Sequence, residues 1–270
     1  MALTRGTESI GDHSLDLYLA EGEDFDFTGE VIWPAARILA HWVVANLPAL
    51  AGKNVLELGA GSSPLSGLFA ALTAKNVVLT DGEPAVLERC RQNVRLNSSK
   101  FAANCLVRHL PWGDGAALAT MTGETIPAQK FDVLLGSDVI YSEVSVPPLM
   151  ETIDAALPAA VDPTLTADQQ PYCLLCYEHR TGNPQRHIPP LLLQHHLISS
   201  EIPLASFLSE AQRSALSDGR LSPFAMMPSQ GTEMRFTLLR IARDPAPRPP
   251  IGGIAAPTQV EVPPPPPAVE

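Results

Sequence analysis

Several features of secreted and membrane proteins are missing from this sequence. It has only four cysteines in 270 residues, which is too few for the disulfide framework of a small secreted domain. Residues 1–13 contain no apolar signal-peptide segment, and no hydrophobic run approaches the length of a membrane span. We therefore expect a cytoplasmic or nucleocytoplasmic protein with no membrane partner.

Basic residues are also scarce. There are 18 Lys and Arg residues against 29 Asp and Glu residues, and the formal net charge is −11. A nucleic-acid-binding protein normally carries a basic stripe on one face. We therefore expect no nucleic-acid partner, whereas a basic protein partner would suit this charge.

The cysteine and histidine spacings do not favour a redox or metal site. Cys173 and Cys176 form a C-x-x-C pattern, but they lie in a predicted buried strand, where residues three apart point to opposite faces. His195 and His196 are adjacent on a predicted helix, and His187 is too distant to complete a metal-ligand spacing. We expect core cysteines, surface or packing histidines, and no bound metal.

Composition divides the chain into three parts. A polar segment, residues 1–27, ends in an acidic cluster that is either a solvated loop or a lip for a cationic substrate. Residues 28–243 are predicted to form one large domain with a full hydrophobic core. Residues 244–270 are rich in proline and are expected to be disordered or extended as polyproline II.

Strand and helix patterns alternate along the large domain. Strands are predicted at residues 55–58, 77–80, 104–109, 131–136, 172–177 and 234–242. Helices are predicted from Pro34 and at about residues 65–73, 84–97, 146–160 and 186–198. This alternation is typical of an α/β fold with a mostly parallel sheet and helices on both faces.

The first of these strands runs into a glycine turn, Gly59-Ala60-Gly61. A strand that ends in such a turn and leads into a helix forms a ligand-binding crevice, because backbone N–H groups face the ligand. The second strand ends at Asp81, 20 residues after Gly61. A carboxylate at this distance is placed to accept both hydroxyls of a ribose.

The residues around the turn narrow the choice of ribose-bearing ligand. Pro64 stands where a dinucleotide fingerprint has its third glycine, and no lysine follows to form a P-loop. This disfavours a nicotinamide-dependent dehydrogenase. Glu57 precedes the turn and suits a positively charged ligand better than a pyrophosphate. S-adenosylmethionine, with its ribose, amino group and sulfonium, fits these requirements.

Polar and aromatic residues follow the ends of four predicted strands. In an open parallel sheet, ligands bind beyond the carboxyl ends of the strands. The residues at these ends are Glu57 and Gly59, then Asp81, then Trp112, then Ser137 with Asp138. Together with Tyr141, Asp138 is predicted to form a polar wall at the mouth of the crevice.

Five ordered segments of the sequence resemble the seven-strand protein lysine methyltransferases of methyltransferase family 16. The segments are residues 28–36 (TGEVIWPAA), 55–61 (VLELGAG), 79–81 (LTD), 110–113 (LPWG) and 137–141 (SDVIY). The resemblance runs from about residue 28 to residue 242. Residues 176–181 (CYEHRT) are also similar to the branch that includes the valosin-containing-protein lysine methyltransferase.

The resemblance implies a Rossmann-like, seven-strand methyltransferase domain over residues 28–243. It also implies how this domain would hold S-adenosylmethionine. Gly59, Ala60 and Gly61 would approach the methionine part of the molecule. Asp81 would hold the ribose hydroxyls, and Trp112 would lie against the adenine.

The rest of the implied site lies around the reacting end of the cofactor. Trp33 and the backbone near Ser137 would complete the pocket. Asp138 and Tyr141 match the family's D-x-x-Y motif at the lysine channel. One departure is Ser63, which stands in place of the usual third glycine but is still able to cap the following helix.

The resulting hypothesis is a monomeric protein-lysine N-methyltransferase with a protein substrate. A lysine amine must be neutral to accept a methyl group, and at pH 7 its pKa of about 10.4 makes deprotonation cost roughly 4–5 kcal/mol. Because a carboxylate raises that pKa, Asp138 and Tyr141 are expected to capture and aim the amine. The alternatives are a small-molecule amine N-methyltransferase, which requires a closed pocket over Asp138, and an inactive cofactor-binding module.

Overall fold

One seven-stranded sheet, preceded by a two-stranded hairpin, organises the chain. The computed structural model describes residues 3–20, 28–125, 131–180, 182–217 and 235–246. The hairpin consists of β1 (Leu3–Ile10) and β2 (His13–Ala20). The sheet consists of β3 (Asn54–Leu58), β4 (Asn76–Asp81), β5 (Asn104–His109), β6 (Val133–Ser137), β7 (Tyr172–Glu178), β8 (Leu197–Glu201) and β9 (Phe236–Arg243).

Helices connect most of these strands. They are α1 (Pro34–Ala45), α2 (Leu47–Leu50), α3 (Leu65–Ala70), α4 (Pro84–Asn97), α5 (Gly115–Thr125), α6 (Val146–Ala156), α7 (Ile188–Gln194) and α8 (Glu210–Ser217). Pro34 and Pro84 occupy the first position of α1 and α4, where a missing N–H costs no helical hydrogen bond. In the described ranges no helix combines the length and the hydropathy needed to cross a membrane.

The strand order of the sheet is β5-β4-β3-β6-β7-β9-β8. The pairs from β5 to β7 are all parallel, whereas β9 is antiparallel to both of its neighbours. The chain moves outward from β3 to β4 and β5, and then returns to place β6 on the other side of β3. The carboxyl ends of β3 and β6 therefore border a topological switch point, where ligands bind in open α/β sheets.

Both faces of the sheet are covered by helices, as the sequence predicted. Alternate side chains of β3 enter different cores, with Val55 on one face and Leu56 on the other. The first core contains side chains of α1, α3 and α4, and the second contains those of α5, α6 and α7. The predicted mostly parallel α/β architecture is confirmed.

The predicted helix over residues 186–198 is wrong at both ends. A 3-10 turn covers Pro184–His187, α7 ends at Gln194, and His196 has a left-handed backbone with φ of +53°. Residues Leu197–Glu201 then form the edge strand β8. Four of these five residues are exposed, so the strand lacks the apolar alternation that would have revealed it.

The hairpin at the start of the chain was not predicted, and it packs on α4 through two asparagines. Asn93 Oδ1 accepts the Tyr18 N–H at 2.7 Å, and Asn97 Oδ1 accepts the Asp16 N–H at 3.0 Å. Four helical residues rise about 6.0 Å, close to the roughly 6.6 Å spanned by two strand residues. The Asn93 and Asn97 side chains therefore match the spacing of alternate backbone N–H groups on β2, and α4 holds the strand through these hydrogen bonds.

Two predicted segments lie wholly or largely outside the described residues. They are the acidic cluster that ends at residue 27 and the proline-rich tail, of which only residues 244–246 are described. The hairpin within the predicted N-terminal segment contributes Leu15 and Leu17 to the first core. This part of residues 1–27 is thus packed against the large domain.

Close packing of α3 against the sheet depends on Gly67. A Cβ atom at this position would lie 2.3 Å from Leu79 Cδ2 and 2.5 Å from Glu57 Oε2. Both of those side chains are buried and cannot move aside easily. Gly67 therefore supplies the close helix–sheet contact that a dinucleotide fingerprint assigns to its third glycine.

We predict that Gly67→Ala lowers the free energy of unfolding by about 1–3 kcal/mol, because the added methyl group overpacks this contact. Gly123→Ala on α5 is the matched control, since nothing lies within 4 Å of its Cβ position. This control should raise stability by about 0.5–1 kcal/mol through helix propensity. Urea unfolding of both variants tests the pair, and a Gly67→Ala protein as stable as the wild type would contradict the prediction.

Candidate active site

A cavity of about 560 Å³ lies at the carboxyl ends of the central strands. This volume falls within the range of about 300–1,000 Å³ that is usual for small-molecule sites. All ten residues predicted from the sequence line it: Trp33, Glu57, Gly59, Ala60, Gly61, Asp81, Trp112, Ser137, Asp138 and Tyr141. The topology thus brings residues from distant parts of the chain to one crevice.

The glycine turn after β3 shapes the floor of this cavity. Gly59 and Gly61 both have left-handed backbones, with φ of +65° and +60°. A Cβ atom at Gly59 would lie 2.7 Å from Val139 Cγ1, and one at Gly61 would lie 2.6 Å from the Gly29 carbonyl oxygen. A side chain at either position would therefore disturb neighbouring walls of the cavity as well as the turn.

The segment before α1 lies over the glycine turn and forms a second wall. The Ser62 N–H donates to the Gly29 carbonyl at 2.7 Å. Arg89 on α4 forms a mostly buried ion pair with Glu30 at 3.0 Å. These contacts hold Trp33, the residue before the first turn of α1, at the cavity.

Asp81 is fixed by the backbone around it. Its Oδ2 accepts the Gly61 N–H and its Oδ1 accepts the Glu83 N–H, each at 2.9 Å. Burial raises the pKa of this carboxyl, and the backbone hydrogen bonds partly offset that effect. Each carboxylate oxygen keeps a second lone pair, so Asp81 is still able to accept hydrogen bonds from a ligand.

Glu57 lies beneath the turn and is only 2% exposed. Its Oε2 accepts the Gly67 N–H at 3.0 Å, which satisfies a free donor near the start of α3. Burial, with a smaller contribution from the nearby Asp81 charge, raises the pKa of Glu57 to about 8. Glu57 therefore anchors the helix that follows the turn. The sequence predicted a role for Glu57 toward a cationic ligand but did not predict this contact.

Asp138 follows β6 with an unusual backbone conformation. Its φ is +56°, and its N–H donates to the Cys176 carbonyl at 2.7 Å. The side chain is 4% exposed and forms an ion pair with Arg180. Burial raises the pKa of the Asp138 carboxyl, and the Arg180 guanidinium acts in the opposite direction.

Tyr141 stands at the open side of the cavity. It is 51% exposed, and desolvation raises the pKa of its phenol. Val144, on the same loop, is 83% exposed. The site therefore opens to solvent beside Tyr141. The polar wall predicted from the sequence has Asp138 at its buried inner end and Tyr141 at its exposed outer end.

Arg180 is the main cavity residue that the predicted site omitted. It lies two residues beyond β7, in the segment 176–181 that was noted only for its local resemblance. Strand β7 pairs in parallel with β6, so both strands end at the same edge. The position of Arg180 after that strand was therefore a usable signal.

Three buried polar atoms of cavity residues have no hydrogen-bond partner among the described residues. They are Trp112 Nε1, Asp138 Oδ1 and Arg180 Nε. Buried polar groups are normally paired, so this part of the cavity offers a ligand two donors and one acceptor. In the described part of the chain there is no group of three or more His, Cys, Asp or Glu side chains that could hold a metal ion.

Comparison with known proteins identifies the family. A family model described as lysine methyltransferase matches residues 12–191, which is more than half of the chain. The chain therefore belongs to the lysine methyltransferase family, and the resemblance noted in the sequence is confirmed.

The chain is also similar to individual curated methyltransferases. The chain is 37% identical to protein N-lysine methyltransferase METTL21A of Danio rerio over 125 residues, covering 46% of this chain and 53% of that protein. It is 26% identical to histone-arginine methyltransferase METTL23 of Xenopus laevis over 181 residues, covering 66% and 69%. The chain spans about half the length of most of the curated relatives it matches.

A solved structure agrees at the level of the fold. The ribosomal protein L11 methylase of Lactobacillus delbrueckii subsp. bulgaricus superposes with a TM-score of 0.50 and 14% identity. The superposition covers 88% of this chain and 98% of that protein. At this identity the likeness establishes the methyltransferase fold alone.

The raised pKa of Glu57 predicts a pH-dependent stability. Between the ordinary glutamate pKa of 4.5 and the raised pKa of about 8, the folded protein binds a proton at Glu57 that the unfolded chain has released. The free energy of unfolding should therefore fall as pH rises through this window. We expect Glu57→Gln to remove roughly 2–4 kcal/mol of that decline between pH 5 and pH 8.

Urea unfolding at pH 5, 6.5 and 8 measures this effect. Glu88→Gln on α4 is the control, because the exposed Glu88 pairs with Arg95, which lowers the pKa of its carboxyl and keeps it ionised throughout this pH range. An unchanged pH slope in Glu57→Gln would show that the buried carboxyl does not bind the proton.

Proposed function

We propose that this chain is an S-adenosylmethionine-dependent methyltransferase that methylates a lysine side chain of a protein. The observation that carries the proposal is the convergence of three features on one cavity in a member of the lysine methyltransferase family. These features are the left-handed glycine turn, the Asp81 carboxylate, and the wall of Asp138 and Tyr141.

The residues of the cavity fit S-adenosylmethionine. The absence of side chains at Gly59 and Gly61 lets the methionine part approach the backbone closely. Asp81 is held in place and has lone pairs for two ribose hydroxyls. Trp112 offers a ring for the adenine and an unpaired indole N–H. When bound, S-adenosylmethionine supplies a methyl group activated by a positive sulfonium.

The chain's own residues would contribute by positioning the amine that receives the methyl group. Asp138 lies at the inner wall and Tyr141 at the open side, so a lysine side chain would pass Tyr141 before its nitrogen meets Asp138. Holding the nitrogen in line lowers the barrier mainly by removing the entropic cost of alignment. The solvent-exposed mouth gives the amine's proton a path to water as the side chain enters.

Three observations favour a protein substrate over a small amine. The mouth of the cavity is open, with Tyr141 and Val144 exposed beside it, whereas a small-molecule enzyme would be expected to enclose its substrate. METTL21A, one of the relatives, is named as a protein N-lysine methyltransferase. The net charge of −11 also suits a basic protein partner.

Arginine methylation is the second candidate. It is favoured by the similarity to METTL23, which is named as a histone-arginine methyltransferase. The Asp138 carboxylate also binds a guanidinium in this structure, that of Arg180.

Cytoplasmic location and a monomeric state remain predictions from the sequence.

The function is tested by incubating the purified full chain with radiolabelled S-adenosylmethionine and a protein lysate. We expect a discrete labelled band, and we expect Asp138→Ala to reduce its labelling roughly hundredfold because the amine is no longer aimed. Asp168→Ala, which changes an exposed carboxylate, should label like the wild type.

Calorimetry with S-adenosylmethionine shows whether each variant is still folded and binds the cofactor. Tight cofactor binding by the wild type without any labelled protein would contradict the proposal. That result would favour a small-molecule substrate or an inactive binding module.

A further inference from the structure

Arg180 is the only positively charged side chain that lines the cavity within the described part of the chain. Four carboxyl-bearing residues line the same space: Glu57, Asp81, Glu83 and Asp138. The Glu57 and Asp81 carboxyls are engaged by backbone N–H groups, as described above. Among these four residues, Asp138 is paired with a cation, the Arg180 guanidinium. This ion pair changes the net charge that a substrate amine beside Asp138 would meet.

Three elements meet at the Arg180 guanidinium. Its Nη2 forms the ion pair with Asp138 Oδ2 on the loop after β6. The same nitrogen lies 3.8 Å from Glu178 Oε2 at the end of β7. Its Cζ lies 5.2 Å from the centre of the Trp33 ring, within the distance of a cation–π contact. Arg180 is thus held from three sides, although its side chain remains 29% exposed.

The ion pair occupies one oxygen of Asp138 and leaves the other one available. Oδ2 is taken by Arg180, whereas Oδ1 is buried without a hydrogen-bond partner among the described residues. The Glu178 backbone N–H also approaches the carboxyl and acts with Arg180 against the burial that raises the pKa of Asp138. The backbone of Asp138 is fixed by its left-handed φ and by the hydrogen bond to the Cys176 carbonyl. The direction of the free oxygen is therefore set by contacts on both sides of the residue.

A lone carboxylate would be a poor partner for an amine that must be neutral. It stabilises the ammonium form and so raises the pKa of the amine. A guanidinium beside the carboxylate offsets most of this effect, because the two charges act on the amine with opposite sign. The pair then offers a hydrogen-bond acceptor with little net charge.

We propose that Arg180 is a positioning residue that balances the charge of Asp138 and fixes its Oδ2, so that Oδ1 accepts a hydrogen bond from the neutral substrate amine. This inference rests on the proposed methyltransferase function. Arg180 itself does not contact the reacting atoms, because it acts through Asp138.

Other charged and titratable groups surround Asp138. Among the described residues they are Glu178 and Cys176 on β7, Tyr141 on the loop of Asp138, and Arg180. Glu178 competes with Asp138 for Arg180, since both carboxylates interact with Nη2. Removing the Glu178 charge should therefore leave more of the Arg180 positive charge to offset the negative charge of Asp138.

The charge balance is measurable without any protein substrate, because S-adenosylmethionine carries a sulfonium charge that S-adenosylhomocysteine lacks. Calorimetry at pH 8.5 gives the ratio of the two affinities. We expect Arg180→Gln, which exposes the Asp138 charge, to raise the ratio about tenfold in favour of S-adenosylmethionine. Asp138→Asn, which leaves the guanidinium unpaired, should lower the ratio, and the double variant should restore it.

Three controls accompany this measurement. Arg180→Lys keeps the positive charge and should keep the wild-type ratio. Arg95→Gln removes an exposed charge on α4 and should change nothing. Asp81→Asn should weaken both compounds, because both carry the ribose.

The pH dependence adds a second readout. Without the guanidinium, burial leaves the pKa of Asp138 higher, so its carboxylate forms only as pH rises. In Arg180→Gln the affinity for S-adenosylmethionine should therefore increase between pH 6 and pH 9, whereas that for S-adenosylhomocysteine should not. The rate of single-turnover labelling should also shift to higher pH in this variant, because the bound amine then keeps its proton longer.

Equal weakening of both compounds in Arg180→Gln, with no change in pH dependence, would overturn the proposal and leave Arg180 a structural role. An absence of labelled protein with the expected binding ratios would contradict the proposed function but support the charge balance. A wild-type chain that binds neither compound would overturn both.

Discussion

The left-handed turn at Gly59 and Gly61 is the constraint on which the rest of the site depends. Without side chains at these positions, the ends of β3 and β6, the Trp112 ring and the Gly29 segment all reach the same space. The turn is held by the Asp81 carboxylate, which also faces the cavity. The same local geometry therefore packs the chain around the switch point of the sheet and leaves a cavity at the carboxyl ends of the central strands.

The buried acids around this turn differ in what holds them, and this difference separates their roles. Glu57 receives an N–H of α3 and supports the turn from below, whereas Asp81 receives two N–H groups and keeps lone pairs for a ligand. Asp138 is paired with the Arg180 guanidinium and retains one unpaired oxygen. One cavity thus contains a carboxyl that supports the turn, a carboxylate with lone pairs still available, and an ion-paired carboxylate with one unpaired oxygen.

The sequence predicted the parallel α/β architecture and ten of the residues that line the cavity, because the ends of parallel strands converge whatever the details of packing. It failed where structure depends on partners that are distant in the chain. The edge strand β8 carries almost no apolar alternation. The hairpin is held by hydrogen bonds to Asn93 and Asn97, on a helix about 75 residues away in the sequence. Gly67 and Arg180 gain their importance from contacts with Leu79 and Asp138, which only the folded chain brings close.

The identity of the methylated atom decides whether lysine is the substrate residue. The protein labelled from radioactive S-adenosylmethionine would be isolated, hydrolysed in acid and analysed for methylated amino acids. We expect the label to elute as methylated lysine, because the proposed site aims one amine nitrogen at Asp138. Label in methylated arginine would contradict lysine as the substrate residue and favour the second candidate. Label lost under mild base, as from a methyl ester, would contradict nitrogen as the acceptor.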